Sequence, residues 1–349
     1  MKKILLGTSG LIAAALVVSS PASAAEKIKL GLGGYMEQWI GFADQDNLYS
    51  AFNEFDQQSD SEIYFVGSTK LDNGITVGVH VQLEGERNAG PRWIDDSWLF
   101  LTSEQMGTLH LGSATAATFA VHHASPDFNP VQAGITYADA RNWIATSNGL
   151  FPLGTAFFSD SHKIQYISPS FSGFQFGGMY IPDVQDGGNS MPLNTTSSFA
   201  GALVAYNGDF DGVKVGFDAA YGTSENDTDG YQLGLSVAFD GFYIGGGYWA
   251  MDDFDGLWDL KGIGGEQTQY DIGAAYTSGP FTLSLTWFHG ELDRTGTNDD
   301  ESEIIMGSVR YVMGPGVDLK GSIFHQSAES GGVDDGDGWA AVGGLRISF

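Results

Sequence analysis

Phe281-Thr-Leu-Ser-Leu-Thr-Trp287 alternates apolar and hydroxyl-bearing residues at every second position. Successive side chains of a β-strand point to opposite faces, so this segment would have one apolar and one polar face. The same alternation recurs over 75–83, 213–221 and 231–239. The sequence therefore predicts many two-faced strands and no long amphipathic helix after the N-terminal region.

The N-terminal region has the three parts of an export signal. Met1-Lys2-Lys3 is basic, residues 11–18 are apolar, and Ala22-Ser23-Ala24 is a small-residue cleavage box. A membrane anchor would need about 20 apolar residues. We therefore expect a signal peptide at 1–24 and a single β-barrel domain at 25–349.

The composition excludes two classes of protein. No stretch of 18 or more apolar residues follows the leader, which excludes a helical membrane protein. The absence of cysteine excludes a disulfide-stabilised exported domain. A barrel with a polar lumen needs apolar residues only at every second position, and this agrees with 42% hydrophobic residues and a mean hydropathy of −0.09. The fold class expected is an all-β transmembrane antiparallel barrel.

The connections between the alternating segments fall into two kinds, which give the strand number. Seven are short turns: 72–74, 105–107, 169–173, 207–212, 240–241, 278–280 and 314–316. Eight are longer and polar: 41–60, 87–92, 115–161, 182–197, 222–229, 251–266, 290–302 and 326–337. Together they separate sixteen strands and place both termini on the short-turn side. Three strands alternate poorly, so fourteen or eighteen strands remain open.

The last strand predicts closure of the barrel. Its alternate positions form one face up to the C-terminal residue: Trp339, Ala341, Gly343, Leu345, Ile347 and Phe349. A chain that ends on an aromatic residue within a strand is expected to close a sheet and remove its free edge.

The first mature strand, Lys27 to Gly41, and the final Gly343-Gly-Leu-Arg-Ile-Ser-Phe349 resemble the Gram-negative general porins, particularly the alphaproteobacterial type. The resemblance implies a sixteen-stranded outer-membrane barrel, a homotrimer, and a long third loop folded into the lumen. It also implies recognition of Phe349 by the barrel-assembly machinery. The expected partners are outer-membrane lipid, lipopolysaccharide and small hydrophilic solutes, with no nucleic acid.

The third long connection, 115–161, differs from the others because it contains few charged residues and many aromatic ones. Such a composition argues against disorder and favours a loop that lines the pore. We expect it to contribute Asp127, Asp139 and Arg141 to the pore constriction. The basic side chains placed opposite them are His80, Lys320 and Arg346, which fall out of phase with apolar neighbours. A charged side chain that faced the lipid would cost about 2–4 kcal/mol at the membrane midplane. This cost alone would place these residues on the lumen side, without any role in the constriction.

The net charge of −28 is concentrated in the other long connections. Acidic runs usually form a solvated surface, but around a channel mouth they attract cations, and a cation preference is expected. No cofactor is expected. Ca²⁺ at the acidic loops stays open, although no complete twelve-residue Ca²⁺-binding loop occurs.

Other functional classes have weaker support. The sequence has no catalytic cysteine, H-E-x-x-H or G-x-S-x-G motif, so we expect no enzyme. His122 and His123 beside Asp127 form a poor metal or acid–base cluster. A substrate-selective channel, for example for sugars, and a secreted acidic Ca²⁺-binding β-protein remain alternatives. Tyr243 is a candidate to line a sugar path. Aromatic residues near strand ends predict a membrane-interface belt: Trp39, Trp98, Tyr206, Tyr221, Phe239, Tyr248, Tyr276, Phe281, Trp287, Tyr311 and Phe349.

Overall fold

The computed structural model describes residues 27–46, 53–85, 94–128, 131–146, 161–184, 198–225, 228–252, 265–293 and 298–349. The leader predicted at 1–24 lies outside these ranges. Neither helix in the described part of the chain is long and apolar enough to cross a membrane. The elements are β1 Gly31–Gln45, β2 Phe55–Lys70, β3 Thr76–Glu84, β4 Ile94–Ser103, β5 Gly107–Ser113, α1 Ala117–Val121, α2 Tyr137–Ala140, β6 His162–Ile167, β7 Phe174–Ile181, β8 Phe199–Phe210, β9 Val213–Ser224, β10 Asp229–Phe239, β11 Phe242–Met251, β12 Gln267–Ser278, β13 Phe281–Leu292, β14 Asp300–Gly314, β15 Val317–Ser330 and β16 Val333–Ser348.

The sixteen strands form one closed antiparallel barrel, in which each strand pairs with its neighbours in the sequence and β1 pairs with β16. Closure extends to the C-terminus, because the Phe349 N–H donates to the Gly34 carbonyl at 3.0 Å and the Gly34 N–H donates back at 3.1 Å. The prediction of sixteen strands closed by the last residue is confirmed. Closure satisfies the backbone groups that a free edge would expose to lipid.

The apolar face of the strands points outward. In β13, Leu283 and Leu285 are 55% and 63% exposed, whereas the intervening Ser284 and Thr286 are 9% and 1% exposed. This arrangement is the reverse of a soluble protein and fits a barrel whose outer surface contacts lipid.

Aromatic pairs on the outer surface lie beside the short turns. Phe239 packs on Phe242, Phe242 on Tyr276, and Phe281 on Tyr311, with ring centroids 5.5, 4.5 and 4.8 Å apart. They form a belt of the kind found at a membrane interface. The prediction that Trp39 and Trp98 belong to this belt was wrong. Their side chains are 2% and 7% exposed and turn inward.

The prediction of a long connection at 326–337 was also wrong. β15 continues to Ser330 and β16 starts at Val333, and Gly331 and Gly332 make the turn with φ of 59° and 73°. Beyond the membrane both faces of a hairpin contact water. Apolar and polar residues therefore no longer alternate there, and the sequence pattern predicts a loop. For the same reason β1 and β2 extend into the connection predicted at 41–60.

Candidate functional site: the lumen and its inserted loop

The connection between β5 and β6, residues 114–161, enters the lumen, and its described parts are 114–128 and 131–146. It carries both helices of the described chain. Helix α2 begins after Thr136, whose Oγ1 accepts a hydrogen bond from the Asp139 N–H at 3.2 Å. Thr136 thus satisfies one backbone donor that the helix leaves unpaired. The prediction of an unusually long third connection is confirmed, and we refer to it as loop 3.

A row of inward-facing glycines on β9 to β12 provides the seat for loop 3. A Cβ added to any of them would approach atoms of residues 122–126 to less than 3.0 Å. The strand register aligns one glycine from each of β9, β11 and β12. Gly216 pairs with Ser236 of β10, Ser236 pairs with Gly245, and Gly245 pairs with Gly273. The loop backbone therefore lies against the wall at a distance that side chains would not allow. The seat consists of Gly216, Gly234, Gly245, Gly247 and Gly273.

Polar side chains of the same strands fasten the loop in this seat. His122 Nδ1 lies 2.9 Å from Asp218 Oδ2, and the other oxygen of Asp218 accepts the His123 N–H at 2.6 Å. His123 Nδ1 lies 2.8 Å from Ser236 Oγ. Tyr243, a candidate for a sugar path, instead donates its hydroxyl to the Ala124 carbonyl at 2.6 Å. Its contact therefore supports the loop.

Asp127 binds loop 3 to β13. Its Oδ2 accepts hydrogen bonds from Ser284 at 2.6 Å and Thr286 at 3.0 Å, and its Oδ1 accepts from the Ala133 and Gly134 N–H groups. The residue is fully buried. Burial raises the pKa of the Asp127 carboxyl, and these four hydrogen bonds oppose the rise. Asp127 therefore anchors the loop and faces the wall.

An apolar cluster completes the attachment farther along the loop. Phe128 stacks on Tyr137 at 5.2 Å, and Tyr137 packs on Phe288 of β13 at 4.7 Å. Other buried members come from loop 3 and from β1, β14, β15 and β16, and they include Trp39, Ile135, Trp143, Ile144, Ile304, Met306, Phe324 and Val342. This cluster covers the inner wall with loop residues, which buries apolar side chains that would otherwise face lumen water.

Beside the loop, one carboxylate of β1 binds two basic side chains. Lys320 Nζ lies 2.8 Å from Glu37 Oε1, and an Arg346 guanidinium nitrogen lies 2.8 Å from Oε2. Lys320 and Glu37 are almost completely buried, whereas the Arg346 side chain is 24% exposed. The guanidinium carbon lies 3.6 Å from the Tyr35 ring centroid.

Two more acids lie within electrostatic range of this group. Tyr35 donates its hydroxyl to Asp60 of β2 at 3.0 Å. Asp139 of loop 3 interacts electrostatically with Glu37 and Lys320. Burial raises the pKa of the Asp139 carboxyl, the hydrogen bond from Thr136 lowers it, and Glu37 raises it further. Loop 3 and the β1–β2 wall therefore meet at a mixed group of acidic and basic side chains.

The structure brings together some of the residues that were predicted for the constriction. Asp139, Lys320 and Arg346 belong to one electrostatic group around Glu37. Arg141 joins this group through its electrostatic interaction with Asp139. His80 lies apart on β3, where its ring stacks on Trp98 with centroids 3.9 Å apart. Asp127 is on the opposite attachment of the loop, at β13.

Glu37, Asp60 and Asp218 were missed by the sequence reasoning, which considered only basic wall residues. Each occupies an inward position of its strand, because paired residues share a face of the sheet. Glu37 pairs with Arg346 and with Asp60, and Asp218 pairs with Gly234 of the seat. A charge inside an alternating strand must face the lumen, so the phase of β1 and β9 was a usable signal.

A candidate cation position lies at the outer ends of β13 and β14. Oxygens of Glu291, Asp293 and Asp299 lie within 4.8 Å of one another. Exposed acidic groups of this kind are common without an ion. The cluster by itself does not identify a Ca²⁺ site.

The family and the fold agree in the comparisons with known proteins. A model of the Gram-negative porins matches residues 10–330, while no curated protein matches the chain significantly. The anion-selective porin from Comamonas acidovorans has 17% identity and a TM-score of 0.62, over 93% of this chain and 100% of that one. OmpT, an outer membrane protein of Vibrio cholerae in its trimer form, has 11% identity and a TM-score of 0.62, again over 93% of this chain and 100% of that one.

A mutant of the Rh. blastica porin has 18% identity and a TM-score of 0.54, over 92% of this chain and 100% of that one. At these identities the structural matches establish the barrel fold alone, and the family model adds the assignment. The family model covers most of the chain, and the chain folds into the closed sixteen-stranded barrel described above. The chain therefore belongs to the Gram-negative porin family and is a channel protein of the outer membrane.

Proposed function

We propose that the chain is a cation-preferring channel for passive diffusion of ions and small hydrophilic solutes, and that it is not an enzyme. The observation that carries the preference is the charge of the barrel's loop-side rim. The ends of β1, β2, β14 and β16 carry exposed carboxylates at Asp44, Asp56, Glu301 and Asp334. No Lys or Arg occurs among the described residues of these strand ends.

An acidic rim of this kind raises the local concentration of cations before they enter the narrow part of the channel. Inside, the two basic residues Lys320 and Arg346 share Glu37, and Asp60 and Asp139 lie beside them. These two basic side chains are therefore balanced by neighbouring acids, which weakens the attraction of anions at this part of the lumen. The Comamonas relative is anion-selective, so a different selectivity in this chain would reflect its own charges.

The assembly and partners are part of the same proposal. We propose a homotrimer, since a trimer form of the similar OmpT barrel exists. Outer-membrane lipid and lipopolysaccharide surround the apolar face, and the barrel-assembly machinery recognises the C-terminal Phe349. Passive diffusion needs no cofactor, and Ca²⁺ at the acidic rim would be an accessory ion.

Reconstitution in a planar bilayer with a KCl gradient tests the proposal. The reversal potential is expected to have the sign of K⁺ over Cl⁻ preference, and the preference should weaken as salt screens the rim. At raised voltage each inserted unit should close in three equal conductance steps. A reversal potential with the sign of Cl⁻ preference at low salt would overturn the cation preference, and closure of each inserted unit in a single step would overturn the trimer.

A further inference from the structure

Five ring side chains form a continuous series on the inner faces of β1 to β5. The centroids of Tyr35 and Tyr64 lie 6.4 Å apart, and those of Tyr64 and His80 lie 5.6 Å apart. His80 stacks on Trp98 at 3.9 Å with an angle of 11° between the rings, and Trp98 lies 5.9 Å from His110. We call this series the ring ladder. It crosses five neighbouring strands without interruption.

The ring ladder faces the interior on the side of the barrel opposite the loop seat. Trp98 is 7% exposed whereas its neighbour Leu99, on the lipid side, is 51% exposed. The glycine seat occupies β9 to β12, and in a closed barrel of sixteen strands β3 lies across the lumen from β11. On this side Glu62, Tyr64 and His80 have partly exposed side chains, which a solute in the lumen can reach.

The protein itself shows which chemical group the ladder accepts. The Arg346 guanidinium lies on the Tyr35 ring at 3.6 Å, and the Tyr35 hydroxyl donates to Asp60. A tyrosine face attracts a cation, and a carboxylate at the edge of the ring adds to this attraction. This first unit therefore consists of a ring, an acid and a bound guanidinium.

The neighbouring ring repeats the arrangement. The Tyr64 hydroxyl donates to the Glu62 carboxylate, so that an acid again lies at the hydroxyl edge of the ring. His80 extends the aromatic surface on the other side of Tyr64. We propose that Tyr64, Glu62 and His80 bind the guanidinium group of a small organic cation as it passes through the pore.

This inference rests on the proposed channel function and adds a solute class to it. Aromatic faces also bind sugar rings, but the carboxylate beside each tyrosine favours a positively charged solute. The two solute classes are separated by a matched pair of probes. L-arginine carries the guanidinium, and L-citrulline has nearly the same shape with an uncharged side-chain end.

The test measures interruptions of the K⁺ current through single reconstituted channels when either probe is added. Arginine is expected to block the current and citrulline is not. Tyr64→Leu should weaken the block roughly 3- to 30-fold, the range of a cation–π contact. Tyr64→Phe keeps the ring and should lose less. Phe100→Leu, on the same inner wall of β4 but outside the ladder, should leave the block unchanged.

Equal block by arginine and citrulline would overturn the inference, and so would an undiminished arginine block in Tyr64→Leu. If Tyr64→Leu does not assemble, His80→Gln gives the second measurement, with the same weakening expected. The KCl reversal potential of each variant is recorded separately. A K⁺-selective channel without arginine block would reject the ladder site and leave the proposed function standing, whereas a Cl⁻-selective channel would reject the proposed function.

Discussion

His122 of loop 3 and Asp218 of β9 form a buried pair, with Nδ1 and Oδ2 2.9 Å apart and side chains 0% and 1% exposed. The same carboxylate accepts the His123 N–H and the Gln232 side-chain amide at 2.6 and 2.7 Å. One acid from the wall therefore binds two consecutive loop residues and a side chain of β10. Asp218 therefore fastens the first part of loop 3 to the wall.

Replacing Asp218 by alanine should release the first part of loop 3. The change removes an acceptor shared by three donors, and each buried donor that is left unpaired costs about 1–3 kcal/mol. We expect a lower melting temperature and larger fluctuations of the open-channel current. Asp218→Asn keeps the shape and one acceptor oxygen, so it should lie between wild type and Asp218→Ala. A quiet open channel in Asp218→Ala would show that the loop is held elsewhere.

Adding a side chain within the glycine seat should push loop 3 into the lumen. A Cβ at Gly245 would meet the Ala124 carbonyl and, at 2.7 Å, the Tyr243 hydroxyl. The carbonyl belongs to the backbone and cannot rotate away, so Gly245→Ala should reduce single-channel conductance. Gly343→Ala is the control, because a Cβ at that position meets no atom within 4 Å. Equal conductance of the two variants would contradict the role of the seat.

The strand number was predictable from the sequence, whereas the loop seat was not. Turn residues and the outward apolar positions are local features, so β13 can be recognised from Phe281 to Trp287 alone. The seat depends on register: Gly216, Gly245 and Gly273 come into line only when four strands are paired. Isolated glycines on a polar face have no such meaning in the sequence.

Prediction of the charged group was similarly incomplete. Lys320 and Arg346 could be placed inside the barrel because a charge cannot face lipid. Their height along the barrel, and hence their common partner Glu37, follows from the pairing of β1 with β16. Asp127 was expected at the constriction because it is one of the few charges of loop 3, but a charge can also serve as an anchor when hydroxyls of the wall surround it.

Glu37→Gln should shift the selectivity towards anions. The substitution removes one negative charge and leaves Lys320 and Arg346 with a neutral partner. The K⁺ over Cl⁻ permeability ratio from the reversal potential is expected to fall. Asp72→Asn, at the exposed turn between β2 and β3, removes the same charge outside the lumen and should have a much smaller effect. An unchanged ratio in Glu37→Gln would mean that the rim alone determines selectivity.

Acidification should strengthen the attachment of loop 3 at Asp127. Burial places the pKa of this carboxyl above its ordinary value of 3.8, so the folded state favours the protonated form more than the unfolded state does. The resulting stability is fully present below the ordinary value and is lost as the pH rises through the raised pKa. Relative to Asp127→Asn, which does not titrate, the wild type should gain thermal stability as the pH falls from neutral towards 3.8. A difference in melting temperature that is constant with pH would contradict this.

Two variants of the last residue separate closure of the barrel from recognition during assembly. Phe349 makes two backbone hydrogen bonds with Gly34, while its side chain is 63% exposed. Phe349→Ala keeps both hydrogen bonds, so the purified variant should refold into detergent or lipid as well as wild type. In cells it should reach the outer membrane in reduced amount, because the aromatic side chain is the part that the assembly machinery is proposed to recognise. Deletion of Phe349 removes the hydrogen bonds as well, and should impair refolding in vitro. Normal outer-membrane levels of Phe349→Ala would reject the recognition role and leave closure as the reason for the final strand's pattern.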